Sequence, residues 1–332
     1  MKQAAVRAHT NIALIKYWGK RDEHLFLPVN SSLSLTLDKL FTDTLVCFDP
    51  SLTEDLFYLN GTKQNQMETQ KISRFINLFR DQTDVKDFVR VESINHVPTA
   101  AGLASSASAF AALAGAANIA SGLQLEPQAL STYARRGSGS STRSLFGGFV
   151  EWNKGTNSDD SMAIQIDDAN WDIGMVIVAV NTSEKKVSSR EGMKRTVETS
   201  PFYSVWEETA EADLVEIKQA ISNQDFQTLG EITERNGMKM HGTMLGATPP
   251  LSYWEPASIQ AIQIVKHLRE QGVLCYVTMD AGPNVKVLCR LSEADKIKEA
   301  LLEKFSDDQL LITGPGKGIR ELTADEKSVY SW

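Results

Sequence analysis

The segment 98–113, PTAAGLASSASAFAAL, sets Gly102, Ala104, Ser105 and Ser106 immediately before a run of small residues that suit a helix. The first N–H groups of a helix have no partner within it and carry partial positive charge, so this loop suits an anion. Small residues let a phosphate come close. The serine hydroxyls can donate to phosphate oxygens or help hold Mg2+, whose other ligands would be water and nucleotide oxygens. The loop lacks the lysine of a Walker A sequence, and taken alone it equally suits a capped, tightly packed helix start. A second loop, ARRGSGSSTRSLFGGF at 134–149, places Arg143 beside Ser138, Gly139 and Ser140. A guanidinium grips carboxylate or phosphate through paired hydrogen bonds, so Arg143 suits an anionic substrate, whereas Arg135 and Arg136 read as the solvated side of a helix.

Two further stretches carry charge in unusual settings. NIALIKYWGKRDEHLFLPVNSS (11–32) frames Tyr17 and Trp18 with Lys16 and Lys20. Either lysine could bind a terminal phosphate; the same pattern suits an amphipathic strand whose lysine stems cover the core. TMDAGPNVKV (278–287) places Asp280 between two apolar stretches, at a turn built by Gly282, Pro283 and Asn284. It could serve only the turn. Facing the anion loops, it would accept or orient a hydroxyl proton during phosphoryl transfer. The histidines at 9, 24, 96, 241 and 267 show no metal-ligand spacing, so no structural zinc is expected. His241, among methionines, reads as part of a packed helix.

These residues need elements to hold them. FVRVESINHV (88–97) alternates as a strand closed by Pro98, and a helix is expected over 105–121, stopped by Gly122. Helix 257–271, strand 273–279, strand 285–290, helix 292–305 and strand 309–313 make most of a split βαβ unit, a sheet with helices on one face and the other free for a neighbouring lobe. The apolar strand DIGMVIVAVN (172–181) is expected to close the first lobe, dividing the chain into an ATP- and substrate-binding lobe, 1–183, and a ferredoxin-like lobe, 184–332. With 332 residues, 42% hydrophobic and 23% charged, the chain suits two soluble lobes with a cleft between them. A net charge of −8 argues against a nucleic-acid-binding surface. No window approaches a membrane span and the N-terminus has no apolar leader, so a cytoplasmic location is expected. Cys47, Cys275 and Cys289 sit in apolar segments, as reduced core thiols do.

The order of PTAAGLASSASAFAAL and DAGPNVKVL resembles the GHMP superfamily of small-molecule kinases, which includes galactokinase, homoserine kinase and mevalonate kinase. Within it, NIALIKYWGKRD, LPVNSSLSLTL, ARRGSGSSTRSLFGGFVEW and MHGTMLGATPPLSYWEP resemble the diphosphomevalonate decarboxylases. Ala104 stands where most of the superfamily has glycine, a replacement characteristic of this branch. The resemblance implies an α+β, two-lobed GHMP kinase fold, with a left-handed βαβ unit in the N-terminal lobe and the active site between the lobes. It implies a homodimer that uses ATP and Mg2+ to convert 5-diphosphomevalonate to isopentenyl diphosphate, ADP, phosphate and CO2. Asp280 would contact the reacting hydroxyl with Lys16 beside it, and Arg143 would hold the substrate carboxylate. Tyr17, Lys20, Ser138, Gly139, Ser140, Ser189 and Arg190 would bind substrate. Gly102, Ala104, Ser105 and Ser106 would form the ATP phosphate loop, with Ser106 on Mg2+; Ser93, Asn95 and Lys185 would lie near the nucleotide. A plain kinase of the same fold, or a non-catalytic ligand-binding regulator, would share many of these features.

Overall fold

The computed structural model describes residues 2–96, 106–181 and 187–330. Its first sheet is built on two long antiparallel strands, β1 (Lys2–Ile15) and β4 (Ser32–Phe48), linked by a small hairpin of β2 (Lys20–Asp22) and β3 (Leu27–Pro28). The start of β4 reads Ser-Leu-Ser-Leu-Thr-Leu, and the two-residue period of a strand sorts these residues by face. Leu33, Leu35 and Leu37 enter an apolar core, while Ser32 and Thr36 bond to Arg143 and to the Phe146 carbonyl. Next come β5 (Leu56–Leu59), β6 (Thr62–Lys63), α1 (Gln66–Arg80) and β7 (Val89–His96), where β5 and β7 pair in parallel across α1.

The helix expected over 105–121 is α2 (Ser106–Ser121), ended by Gly122 at φ +79°. Its small residues have a packing reason as well as a loop reason. The helix lies so close to β1 that a Cβ on Gly115 would fall 2.9 Å from Val6. After α3 (Pro127–Gly137), a 3-10 helix at Gly139–Leu145 leads into β8 (Phe149–Trp152) and β9 (Ala163–Asp167), which join the same sheet through β4.

The second sheet corrects one expectation. Among the described residues, β10 (Gly174–Val178) pairs with no strand of the first sheet. After it come α4 (Ser189–Thr199), α5 (Tyr203–Ser222), α6 (Phe226–Leu245), α7 (Pro256–Glu270), β11 (Cys275–Met279), β12 (Val285–Cys289), α8 (Ala294–Leu301) and β13 (Leu310–Thr313). The sheet order is β11-β12-β10-β13, antiparallel throughout, so β10 is the missing first strand of a ferredoxin-like unit. A division at 183/184 cuts it from its partners. The cause of the misassignment is the insertion of α4, α5 and α6 between β10 and α7, which hides the β-α-β-β-α-β order.

One face of this sheet, with Val176, Val277 and Val287, packs on α7 and α8 through Val265 and Ile297. The other face meets the first sheet, as expected, with helices joining in: Met175, Ile177 and Leu288 share one core with Ile217 of α5, Ile232 of α6 and with Leu14 and Leu35 of the first sheet. Burying each such side chain stabilises by roughly 1.5–3 kcal/mol, so the two sheets and the helices between them are held as one block. The chain then returns to the first sheet, where β14 (Arg320–Glu321) pairs with β1 ahead of α9 (Ala324–Ser328).

Candidate active site

Asp280 follows directly on β11, in a turn tied down on several sides. Its carbonyl accepts from Gly282 N–H at 2.7 Å, the Pro283 carbonyl accepts from Ser258 in the first turn of α7 at 2.6 Å, and Asn284 Oδ1 accepts from the N–H groups of Val180 and Asn181 beyond β10. The carboxylate is gripped by a lysine on each oxygen: Lys16 Nζ donates to Oδ1 at 2.8 Å, and Lys286 Nζ lies 3.0 Å from Oδ2. Lys16 directly follows β1 and Lys286 lies in β12, so the trio joins the two sheets.

Each lysine is almost wholly buried, at 1% and 3% exposure, whereas 41% of the Asp280 side chain opens to the cleft. Lys16 also donates from Nζ to Ala13 O and from its backbone to Asn236 Oδ1, and Asn236 in turn donates to the buried carboxylate of Asp213. Burial pulls the Lys16 ammonium down to about 8; Asp280 opposes this, and Lys286 and Arg143 add to it. Burial raises the Asp280 carboxyl, but the charges of Lys16 and Lys286 outweigh that and hold it far below the usual carboxylate range. Asp280 is therefore an anion at every working pH, and a weak base.

The cleft is a cavity of about 390 Å3 running from this trio to Ser106 and Ala107 at the start of α2. Arg143, 2% exposed on the 3-10 helix, lines it. Its Nη1 donates to Ser32 Oγ at 2.6 Å and its Nε to Asn11 Oδ1 at 3.3 Å. Asn11 itself donates to Ser140 O and Ser144 Oγ, which locks the guanidinium against the helix that carries it. Burial lowers Arg143 to about 10, which leaves it charged at neutral pH. Tyr17 leans on Trp152 at 4.9 Å between ring centroids. Its buried hydroxyl has no hydrogen-bond partner among the described residues, and burial pushes it well above its ordinary value, so it stays a neutral donor. Gly139 is required there, because a Cβ would sit 2.6 Å from the Tyr17 ring.

Toward the cavity's rim, Phe26 carries two cations on its ring: Lys20 Nζ at 4.4 Å and Arg190 Cζ at 5.5 Å from the centroid. Lys20 also bonds to Glu23, and Ser189 and Arg190 open α4 behind the Ser188 cap. At the loop end, three hydroxyls meet: Ser138 Oγ lies 3.4 Å from Ser106 and 3.2 Å from Ser140. Hydroxyls at the start of α2 suit phosphate oxygens and a hard cation held mainly by them. Among the described residues there is no cluster of three or more His, Cys, Asp or Glu side chains that could hold a metal.

The cavity thus gathers Lys16, Tyr17, Lys20, Ser106, Ser138, Gly139, Ser140, Arg143, Ser189, Arg190 and Asp280 from five segments of sequence. Ser93 and Asn95 do not line it. Ser93 is buried against Thr44 and Asn95 bonds to Thr42, both on the strand that leads toward the Gly-Ser loop. Gly102, Ala104, Ser105 and Lys185 lie outside the described residues. Arg135, expected in solvent, is fully buried, donating to the carbonyls of Leu25, Ser158 and Ser161. Sequence reasoning missed Lys286 and Asn11. A lysine inside the apolar run Val285–Cys289 was the available signal for the first, since a fully buried strand carries such a charge only when it is paired. Asn11 gave none.

Two family models cover most of the chain: "Diphosphomevalonate decarboxylase-like N-terminal domain" matches residues 8–163 and "Mevalonate 5-diphosphate decarboxylase C-terminal domain" matches 175–326. The chain belongs to the diphosphomevalonate decarboxylase family. The human diphosphomevalonate decarboxylase is 39% identical over 84% of this chain and 75% of its own length, and that of Ganoderma lucidum 38% identical over 91% and 82%. Among solved structures, MDDEF "in complex with MVAPP, AMPPCP and Magnesium" is 54% identical with a TM-score of 0.93, covering 97% of this chain and 99% of that one. The mevalonate diphosphate decarboxylase of Staphylococcus aureus is 46% identical with a TM-score of 0.93, over 97% and 98%. The fold of this decarboxylase is accordingly that of a GHMP kinase, α+β with a ferredoxin-like second sheet. The gap between the two family matches falls just before β10, where the second sheet begins.

Proposed function

We propose that the cleft phosphorylates the tertiary C3 hydroxyl of 5-diphosphomevalonate with ATP and then lets the product lose phosphate and CO2 to give isopentenyl diphosphate and ADP. The observation that carries this reading is the juxtaposition of Asp280 and Arg143 in one cavity with the Ser106 end of the Gly-Ser loop. A hydroxy acid held by its carboxylate on Arg143 presents its hydroxyl to Asp280, with the γ-phosphate of ATP arriving from the loop. Lys20, Ser189 and Arg190 take the diphosphate, and Tyr17 donates its hydroxyl, which is unpartnered among the described residues.

Asp280 is too weakly basic to remove the hydroxyl proton before attack. It accepts the hydroxyl's hydrogen bond and aims the oxygen, as a loose phosphoryl transfer requires, and the proton passes late, as the new O–P bond forms, to an oxygen of the transferred phosphoryl group. Lys16 holds the carboxylate in place. Bound Mg2+, held by Ser106 and phosphate oxygens, neutralises charge on the triphosphate. Once C3 bears phosphate instead of hydroxyl, the C3–O bond can break to release phosphate. The electrons of the bond to the carboxylate then form the alkene as CO2 departs. The carboxylate must stay anionic for this, and Arg143 keeps it so while excluding water.

The test is incubation with carboxyl-labelled 5-diphosphomevalonate, ATP and Mg2+. Labelled CO2 should appear with one ADP each, and omitting ATP or Mg2+ should abolish it. ADP without CO2 would make the protein a kinase. An analogue fluorinated on the C3 methyl should be phosphorylated and then stall, because fluorine disfavours positive charge at C3. As the family resemblance implies, we place the working enzyme in the cytoplasm as a homodimer. Light scattering of the purified protein checks the dimer. No helix among the described residues is long and apolar enough to cross a membrane.

A further inference from the structure

One lysine would balance the charge of Asp280, and it has two. Lys286 stands second in β12, between Val285 and Val287, opposite Thr278 on β11 and Ile177 on β10, in a strand buried from end to end. Its stem crosses an otherwise apolar stretch to set Nζ 3.0 Å from Asp280 Oδ2 and 3.3 Å from Asn284 O. Burying an ammonium this deeply carries a desolvation cost that a methionine or leucine in the strand would avoid. Lys16 already serves Oδ1. The second lysine therefore adds two things the first does not: it fixes the rotation of the carboxylate about its Cβ–Cγ bond, and it leaves three cations, Lys16, Lys286 and Arg143, around a single anion on the cavity wall.

Resting on Asp280 acting at the substrate hydroxyl, we propose that Lys286 is a positioning residue for phosphoryl transfer, pinning Oδ2 from the second sheet while Lys16 pins Oδ1 from the first, and supplying excess positive charge beside the phosphoryl group in transit. Two fixed donors hold the remaining lone pairs of Asp280 toward the cleft. Charge near the transferred group favours it most when it is between donor and acceptor, so the effect falls on kcat more than on KM.

The pH profile separates this role from a structural one. The charged and titratable groups that act on Lys16 or feel its charge are Asp280 and Lys286 from the second sheet, Arg143 from the 3-10 helix and His241 from α6. Lys286 and Arg143 disfavour the Lys16 charge; Asp280 favours it. Removing Lys286 therefore makes Lys16 hold its proton to higher pH, and the alkaline limb of kcat moves up.

Lys286→Met should lower kcat for ADP formation by about 10-fold or more, leave KM for diphosphomevalonate within about 3-fold, and raise the alkaline limb by about half a pH unit or more. Lys286→Arg, which keeps the charge, should recover part of kcat and leave the limb near its original place. Should the methionine variant fail to fold, Lys286→Gln, neutral but still a donor, is read in its place. Wild-type kcat in the neutral variant, or an equal loss in the neutral and arginine variants with an unmoved limb, would overturn the proposal. Asp280→Asn is measured in parallel: a fast Asp280→Asn enzyme sinks the role of Asp280 itself, while a slow one beside a fast Lys286→Met enzyme sinks only that of Lys286.

Discussion

Arg143 shows how much of a residue's chemistry lies in its supports. Ser32 and Asn11 hold its Nη1 and Nε, so the guanidinium plane is fixed before substrate arrives. Arg143→Lys should fold normally and lose about 100-fold or more in turnover, because a point charge cannot reproduce a two-point grip on a carboxylate. Near-normal CO2 release would remove that role. Lys16 gives a pH prediction with a definite sign. With its ammonium held at about 8, the proton that ties it to Asp280 is lost as pH rises through that value, so kcat should fall above about pH 8. A kcat flat to pH 10 would contradict it. At this scale the sequence was legible where a residue type is rare outside a site, as at Asp280 within its Gly-Pro-Asn turn. It was illegible where residues act through others. Asn11 works only because β1 passes the 3-10 helix, and the ion pair of Lys286 spans a turn whose shape no spacing rule supplies.

The elements were legible wherever apolar period and stop signals agree, as in α2 with Gly122 at its end and in the α7-β11-β12-α8-β13 run. β10 failed because a strand does not carry the identity of its sheet; only pairing with β12 and β13 assigns it. The 3-10 helix at Gly139–Leu145 yields a test of close packing between elements. Gly139→Ala pushes a Cβ to 2.6 Å from the Tyr17 ring and 3.1 Å from Trp152, so it should cost about 1–3 kcal/mol in urea unfolding and raise KM for substrate as Tyr17 is displaced. Unchanged stability and KM would mean that the loop yields freely. At the start of α2, Ser106→Ala should impair ATP turnover more than diphosphomevalonate binding, which titration calorimetry with each ligand distinguishes.

The whole molecule depends on ties that bring distant stretches together. Asp43 of β4, fully buried, accepts from Arg7 Nε and Nη2 at 2.7 Å each and from the Tyr330 hydroxyl beyond α9, with His96 at 3.4 Å. Burial raises the Asp43 carboxyl, but Arg7, His96 and Tyr330 outweigh it and hold it far below its ordinary value. Such a group contributes stability above the unfolded carboxyl range and loses it as pH falls through that range toward the folded value. Asp43→Asn should cost about 3 kcal/mol at pH 7 and should flatten the fall in stability between about pH 5 and 2. An unchanged acid slope in thermal melts would show that other carboxylates govern it. None of this was visible in sequence, since Arg7, Asp43, His96 and Tyr330 are linked only by the fold.

The apolar core shared by the two sheets sets the distance between Lys16 and Asp280, on which the proposed placement of the substrate hydroxyl depends. The decisive measurement is rapid-quench single turnover of carboxyl-labelled 5-diphosphomevalonate by the unmodified enzyme and by Asp280→Asn, following ADP and labelled CO2 in the same samples. The unmodified enzyme should yield one CO2 per ADP. Asp280→Asn should slow both products together by roughly 100-fold or more, because an amide cannot accept and aim the hydroxyl as the fixed carboxylate does, while substrate affinity changes far less. CO2 released by Asp280→Asn at the unmodified rate, or a loss of substrate affinity equal to the loss of rate, would contradict the central role given to Asp280.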